Sequence, residues 1–221
     1  MTNKGLGVVV NHSGNATAAP ALARKIESGG GQALTVKVDV SERADVVALS
    51  DDAEKSFGGV DVLVNNAGIM LLSSADDTED ASFDRQVGVN LKGSFNSMRE
   101  AAMRLRSRSR IVNFSSSAAG QFQPRYGTYA ATKAGVQALS IVLAEKLRGR
   151  AVSVSAVAPW PIATGLFLTD KSTDQVDQLS NSAPLEPIDQ PQDVAEIVAL
   201  LAGPLGAWIN DQMLGATVGI I

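Results

Sequence analysis

Val60-Asp61-Val62-Leu63-Val64-Asn65-Asn66-Ala67-Gly68 reads as a short aliphatic strand that empties into a polar turn closed by glycine. A near-continuous apolar run of this length suits a strand covered by helices on both faces, as in a parallel sheet. The same arrangement recurs along the chain. Residues 110–114 run into Ser115-Ser116-Ser117, and residues 152–157 into Ala158-Pro159-Trp160-Pro161. Residues 6–10, 33–38 and 212–218 are further strand candidates. Segments of helical period lie between them at 17–28, 44–57, 127–148 and 192–202, with a long interrupted one at 78–106. Strands alternating with helices predict an α/β fold built on a parallel sheet. In an open sheet of that kind ligands gather at the carboxyl ends of the strands, where the polar turns lie.

Composition narrows the function classes. The 221 residues include 45% apolar and 19% charged side chains, the make-up of one compact domain over residues 1–221. No cysteine is present, which excludes a disulfide scaffold, a thiol nucleophile and an iron–sulfur cluster. His12 is the only histidine and reads as a loop residue, so no metal is expected. The formal charge of -4 has the wrong sign for nucleic acid. No run approaches the roughly 18 apolar residues of a membrane span, and residues 8–10 are too short for a secretory signal. These features predict a soluble, cytoplasmic protein acting on a small molecule, with no nucleic-acid or membrane partner.

Tyr129 and Lys133 stand four apart in Tyr129-Ala130-Ala131-Thr132-Lys133, at the start of a helix whose apolar positions include Val136, Leu139, Leu143 and Leu147. That spacing puts both side chains on one face. An ammonium beside a phenol favours phenolate and should lower the tyrosine pKa from about 10, toward use as a proton donor or acceptor. Ser116 precedes Tyr129 by thirteen residues, and Ser117 is its rival.

From about Val8 to about Ala216 the chain resembles the short-chain dehydrogenase/reductase superfamily, near the NADP(H)-dependent carbonyl and aldehyde reductases. The matching segments are Asn65-Asn66-Ala67-Gly68, Val89-Asn90-Leu91-Lys92-Gly93, Asn113-Phe114-Ser115-Ser116, Tyr129 with Lys133, Pro159 with Thr164, and Trp208-Ile209-Asn210. The resemblance implies a Rossmann-like, doubly wound parallel sheet. It implies Tyr129 as general acid and Lys133 as the group that lowers its pKa and holds the nicotinamide ribose. Ser116 would bind the substrate oxygen, and Asn90 would hold a relay water. Asp39 and Val40 would flank the adenine, Asn65, Ala67 and Gly68 the ribose, and Pro159, Ile162 and Thr164 the nicotinamide end. Asn11, His12 and Ser13 occupy the place where an acidic residue selects NAD. With no carboxylate there to repel a 2′-phosphate, NADP(H) is the expected cofactor. The resemblance also implies a homodimer or homotetramer through helices 90–106 and 129–148.

Two departures stand out. The resemblance begins at the family's second strand, so the chain reads as truncated at its N-terminal end: the first strand and its glycine-rich pyrophosphate turn are not in the sequence. The nearest substitute is Asn11-His12-Ser13-Gly14-Asn15. The missing strand is the central one in the order 3-2-1-4-5-6, which leaves three outcomes: a later start than the family's, the 6–10 strand moved into the vacant place, or pairing with another subunit. The second departure is Trp160, where the family has glycine beside the nicotinamide; the indole turns either inward into that space or outward to the surface. Redox catalysis is the leading reading. A non-redox cyclase, isomerase, dehydratase or lyase using Ser116, Tyr129 and Lys133 is the alternative, and a pseudoenzyme subunit is a third. Residues 162–185, read as a polar loop, would form the substrate lid.

Overall fold

The structure is a computed structural model that describes residues 6–14, 17–169, 171–181, 184, 190–217 and 219. Asn15, Asp170, Ser182, Ala183, Leu185 and Val218, which fall in segments read above, lie outside the described residues. The elements run β1 (Gly7–His12), α1 (Ala18–Ser28), β2 (Gln32–Lys37), α2 (Arg43–Phe57), β3 (Val62–Asn65) and α3 (Asp80–Val87). A π turn (Gly88–Lys92) leads into α4 (Gly93–Arg104), followed by β4 (Arg110–Phe114), α5 (Ala118–Gln121), α6 (Gly127–Lys146) and β5 (Ser153–Pro159). Then come α7 (Gly165–Leu168), α8 (Thr173–Ser180), α9 (Pro191–Ala202), a 3-10 turn (Pro204–Trp208) and β6 (Gln212–Ala216). The interrupted 78–106 segment is therefore two helices joined by the π turn. The 162–185 segment, read as a loop, contains two short helices.

Every ladder is parallel, as the alternating pattern predicts, but the strands form two groups, β1-β2 and β3-β4-β5-β6. The 6–10 strand has not moved into the vacant centre. β1 pairs only with β2, from Gly7↔Gln32 to His12↔Lys37, and among the described residues no ladder joins β1 to β3. The break shows in the burial of the strands. All seven residues of β5 are buried, none of β1 or β2 is, and in β3 only Asn65 is.

The core lies on the two faces of the four-stranded group. On one face Ile111 and Val154 pack with Met98 and Leu105 near α4 and with Ala144 and Leu147 near α6. On the other, Val112 and Val157 pack with Val194, Val198 and Leu201 of α9. Adjacent positions on β4 thus serve opposite cores, which is the period-2 consequence of a strand covered on both sides. Among the described residues no helix is long and apolar enough to cross a membrane.

Helices hold the two groups of strands together where the ladder does not. Arg104 on α4 reaches α2 through Asp51 at 2.6 Å and Glu54 at 3.2 Å, and Glu100 steadies it from its own helix at 3.2 Å. The Asn96 amide donates to the Val40 carbonyl at 3.0 Å, just beyond β2. Gly93 permits the approach: a Cβ there would meet Val40 Cγ2 at 2.6 Å. Gly93→Ala should therefore destabilise the chain by about 1–3 kcal/mol through overpacking, seen as a melting temperature several degrees lower by circular dichroism. An unchanged melting temperature would show that Val40 has room to yield.

Candidate active site

α6 delivers the two residues singled out from its first turns. Its buried positions include Tyr129, Lys133, Val136, Ser140 and Ala144, spaced three or four apart along one face. Tyr129 is 7% and Lys133 5% exposed. Lys133 Nζ donates to the Phe114 carbonyl at the end of β4, 2.9 Å away, and lies 5.8 Å from the centre of the Tyr129 ring.

This geometry corrects the electrostatic expectation. The Tyr129 phenol is pushed up rather than down, because burial disfavours the phenolate more strongly than its neighbours favour it. The Ser116 hydroxyl pulls the other way, and the neighbouring Tyr126 adds to the rise. The Tyr126 ring stands edge-on to Tyr129, 6.4 Å between centres. Lys133 is itself pushed down to about 8 by burial. Sequence spacing alone could not show that the amine is as deeply desolvated as the phenol it was expected to activate.

The serine turn separates its three candidates. Ser115 Oγ donates to the Lys133 carbonyl at 3.2 Å and accepts from Gln137 Nε2 at 2.7 Å. Ser117 is 5% exposed and its N–H donates to the Pro159 carbonyl at 3.0 Å. Ser116 is half-buried, and its Oγ accepts the Ala118 N–H at 3.2 Å, so its own O–H can turn toward Tyr129.

Asn90 is completely buried in the π turn, an irregularity common at functional sites. Its side chain accepts from the Ile69 N–H and donates to the Ile69 carbonyl, both at 2.8 Å, and also donates to Thr132 Oγ1 at 3.3 Å. Gly68 lies beside it. A Cβ at Gly68 would stand 3.4 Å from Asn90 Oδ1 and 3.5 Å from Lys133 Nζ, so three segments far apart in sequence meet there.

Several predicted cofactor residues are employed inside the protein. The Asp39 carboxylate accepts from Ser41 N–H at 2.9 Å, Ser41 Oγ at 2.7 Å and Arg85 Nη1 at 2.7 Å. These bonds, that from Ser41 foremost, hold its pKa below the ordinary carboxylate value despite partial desolvation. The Asn65 amide donates to Asn113 Oδ1 at 2.7 Å. Asn11 Nδ2 donates to the Val38 carbonyl at 3.1 Å, tying β1 to the end of β2. Val40, Asn65 and Ala67 share a small niche with Gly93, Ser94 and Ser97, which brings two of the predicted segments together. Ser13 is exposed, and Ile162 and Thr164 are half-buried beyond the buried Pro159. Trp160 is 5% exposed, so the indole is turned inward.

Two residues were given no role by the sequence reading. Gln86 accepts from the Leu71 N–H at 2.6 Å and donates to the Leu71 carbonyl at 3.3 Å, doing for Leu71 what Asn90 does for Ile69. Asn113 donates to Ser140 Oγ at 2.8 Å and continues the chain of amides from Asn65. An amide in the middle of the apolar run 110–114 was the available signal for Asn113. For Gln86 there was none.

The family described as enoyl-(acyl carrier protein) reductase matches residues 1–220. A short-chain type dehydrogenase/reductase of Picea abies is 39% identical over 229 residues, spanning 99% of this chain and 84% of the relative. The chain belongs to the short-chain dehydrogenase/reductase family. An NADPH-dependent aldehyde reductase-like protein, chloroplastic, of Arabidopsis thaliana is 33% identical, over 98% of this chain and 86% of its own length. Among solved structures, a short-chain dehydrogenase from Burkholderia cenocepacia J2315 in complex with NADP superposes with a TM-score of 0.94 at 29% identity, over 99% of this chain and 89% of its own. The Rossmann-like fold and the place among the oxidoreductases follow from these likenesses.

The buried lysine carries a measurable signature. In the unfolded chain Lys133 titrates near its ordinary 10.5 and in the folded one near 8. Below about pH 8 both states hold the proton and the fold bears the full cost of a buried charge. Between 8 and 10.5 the unfolded chain holds more protons, so stability from this group rises with pH until the cost is gone. The stability difference between Lys133→Met and the parent should therefore shift in the parent's favour by about 3 kcal/mol from pH 7 to pH 10.5. A difference independent of pH, measured by urea unfolding, would contradict the buried ammonium.

Proposed function

We propose that this short-chain dehydrogenase/reductase reduces the carbonyl of a small organic substrate with NADPH, or oxidises the alcohol with NADP+, with Tyr129 as the proton-transfer group. The observation that carries the reading is the meeting of Tyr129, Lys133, Asn90, Gly68 and Ser116 at the carboxyl rim of β3 and β4. The names of the relatives, an NADPH-dependent aldehyde reductase-like protein and an NADP-bound dehydrogenase, support the choice of dinucleotide.

The residues present fit a dinucleotide at its two ends. Lys133 Nζ, which packs beside Gly68, suits the nicotinamide ribose, and Pro159, Ile162 and Thr164 stand at or just beyond the end of β5 on the same rim. At the other end His12 Nδ1 is buried with no partner among the described residues, and no carboxylate stands at Asn11, His12 or Ser13 to repel a 2′-phosphate. The Asp39 carboxylate, taken up by Ser41 and Arg85, adds no free charge there. NADPH, when bound, supplies the hydride. Ser116 O–H then holds the substrate oxygen, and Tyr129 gives its proton to that oxygen as negative charge develops on it. Its raised pKa keeps the phenol loaded with that proton at neutral pH. Lys133, still largely charged at pH 7, favours the phenolate left behind. Asn90 acts as a positioning residue by fixing the Gly68–Ile69 backbone.

Tyr129→Phe should lower kcat for NADPH-dependent aldehyde reduction by at least about 100-fold while NADPH affinity by calorimetry stays within a few-fold. Undiminished turnover would overturn the role of Tyr129, and a chain that takes up no NADPH would overturn the cofactor. A homo-oligomer through α4 and α6 is supported by exposed Phe95 and Met103 on the first and Ile141 and Val142 on the second. Light scattering should accordingly give a multiple of the 23.0 kDa chain mass, and Met103→Glu with Val142→Glu should shift it toward the monomer.

A further inference from the structure

The turn Phe122-Gln123-Pro124-Arg125 joins α5 to α6 and carries two of the five non-glycine residues with positive φ among the described residues, Phe122 at 50° and Arg125 at 69°. The left-handed region is disfavoured for any residue with a Cβ, and such strain persists where the surroundings fix it, often beside a functional site. Arg125 is fixed by the segment that follows β3. Its carbonyl accepts from the Ser73 N–H at 3.2 Å, and its Nη2 donates to the Leu72 carbonyl at 3.1 Å. The same segment is held by Asn90 and Gln86 through Ile69 and Leu71, so Arg125 bridges the loop after β3 and the start of the helix that carries Tyr129.

The charge lies close to the site. Arg125 immediately precedes Tyr126, whose ring stands edge-on to that of Tyr129. Burial raises the Tyr126 pKa, and the positive charge of Arg125 opposes the rise. Yet the guanidinium is exposed and forms no ion pair among the described residues. Asp77, which is near Ser73 in sequence, accepts instead from Ser74 Oγ at 2.7 Å. A guanidinium carries five N–H donors in a planar fork, and the bond to Leu72 leaves most of them free. A latch onto one carbonyl needs a single donor, and glycine or asparagine would take the left-handed backbone more readily. What arginine adds is a charged fork at the rim, shaped to hold two oxygens of a carboxylate or phosphate.

We propose that Arg125 is a specificity-determining residue that binds an anionic group, a carboxylate or a phosphate, carried on the same substrate molecule as the carbonyl. The proposal names a substrate class for the site described above and rests on its reading as an NADPH-dependent reductase.

The test uses three aldehydes with NADPH: 4-carboxybenzaldehyde and 4-formylphenyl phosphate, which are anions, and 4-formylbenzamide, the neutral isostere of the first. In the parent kcat/KM should be about 5- to 20-fold higher for at least one anion than for the amide, chiefly through KM, and the advantage should shrink as salt is raised. The anion that gains identifies the group. Arg125→Gln should bring the ratio of anion to amide to about 1, and Arg125→Lys should recover part of it, with NADPH affinity by calorimetry within about twofold of the parent. Arg108→Gln alters an exposed arginine at the amino end of β4, opposite the site, and should leave the ratio at its parent value. If Arg125→Gln does not fold, Arg125→Gly, which takes the left-handed backbone without strain, should show the same loss of discrimination. A ratio near 1 in the parent, a ratio untouched by either substitution, or an equal loss for anion and amide overturns the proposal. A fall in NADPH affinity that accounts for the whole loss assigns Arg125 to the dinucleotide and overturns it too. A parent that binds NADPH but reduces none of the three aldehydes overturns the substrate class and leaves the cofactor standing, whereas a parent that binds no NADPH overturns the reductase reading itself, and this proposal with it.

Discussion

The bond from Lys133 Nζ to the Phe114 carbonyl anchors the start of α6 to the end of β4. With the bonds of Ser115, Gln137 and Asn113 it sets the helix carrying Tyr129 against β4 and the turn that carries Ser116. An ammonium buried to this degree survives only with a partner, and the strand-end carbonyl provides one. The same burial that fixes the lysine lowers its pKa to about 8 and raises that of the phenol one turn earlier. The protonation states at the site are therefore governed first by dryness, and by charge pairing only second.

The backbone facing this pair is held with equal care. Asn90 and Gln86 each bind one backbone residue, Ile69 and Leu71, through both its N–H and its carbonyl, in the manner of a strand partner. Two amide side chains thus do for an irregular segment what a ladder does for a strand, and Gly68 packs directly against the amide of Asn90 and the amine of Lys133.

Much of the fold was legible because apolar strands and helical stripes have different periods. The 110–114 strand matches β4 residue for residue, and the 127–148 helix differs from α6 only in its last turn. The catalytic candidates were legible because they follow strands or share a helix face. What remained hidden depends on depth. Spacing put Lys133 beside Tyr129 but said nothing of water, so the direction of the tyrosine shift came out reversed. Asp39 looked free for a ligand until Ser41 and Arg85 claimed its oxygens. That no described ladder joins β1 to β3 was not set by the strand pattern, which left three arrangements open. β1 stays with β2 through their own ladder, and the two groups of strands are held together by Arg104 and Asn96 of α4, whose partners on α2 and just beyond β2 lie about fifty residues away.

The amides running from Asn65 through Asn113 to Ser140, and on to the Val136 carbonyl, carry a consequence for how the strands align. Asn65 and Asn113 are opposite one another in the β3-β4 pairing. Sliding either strand by a single residue would swing its amide to the other face, among aliphatic side chains that offer it nothing. Valine-rich strands are tolerant of such slippage, since one aliphatic neighbour is much like the next. The two asparagines remove that tolerance, acting as a key that only one alignment of β3 on β4 can turn.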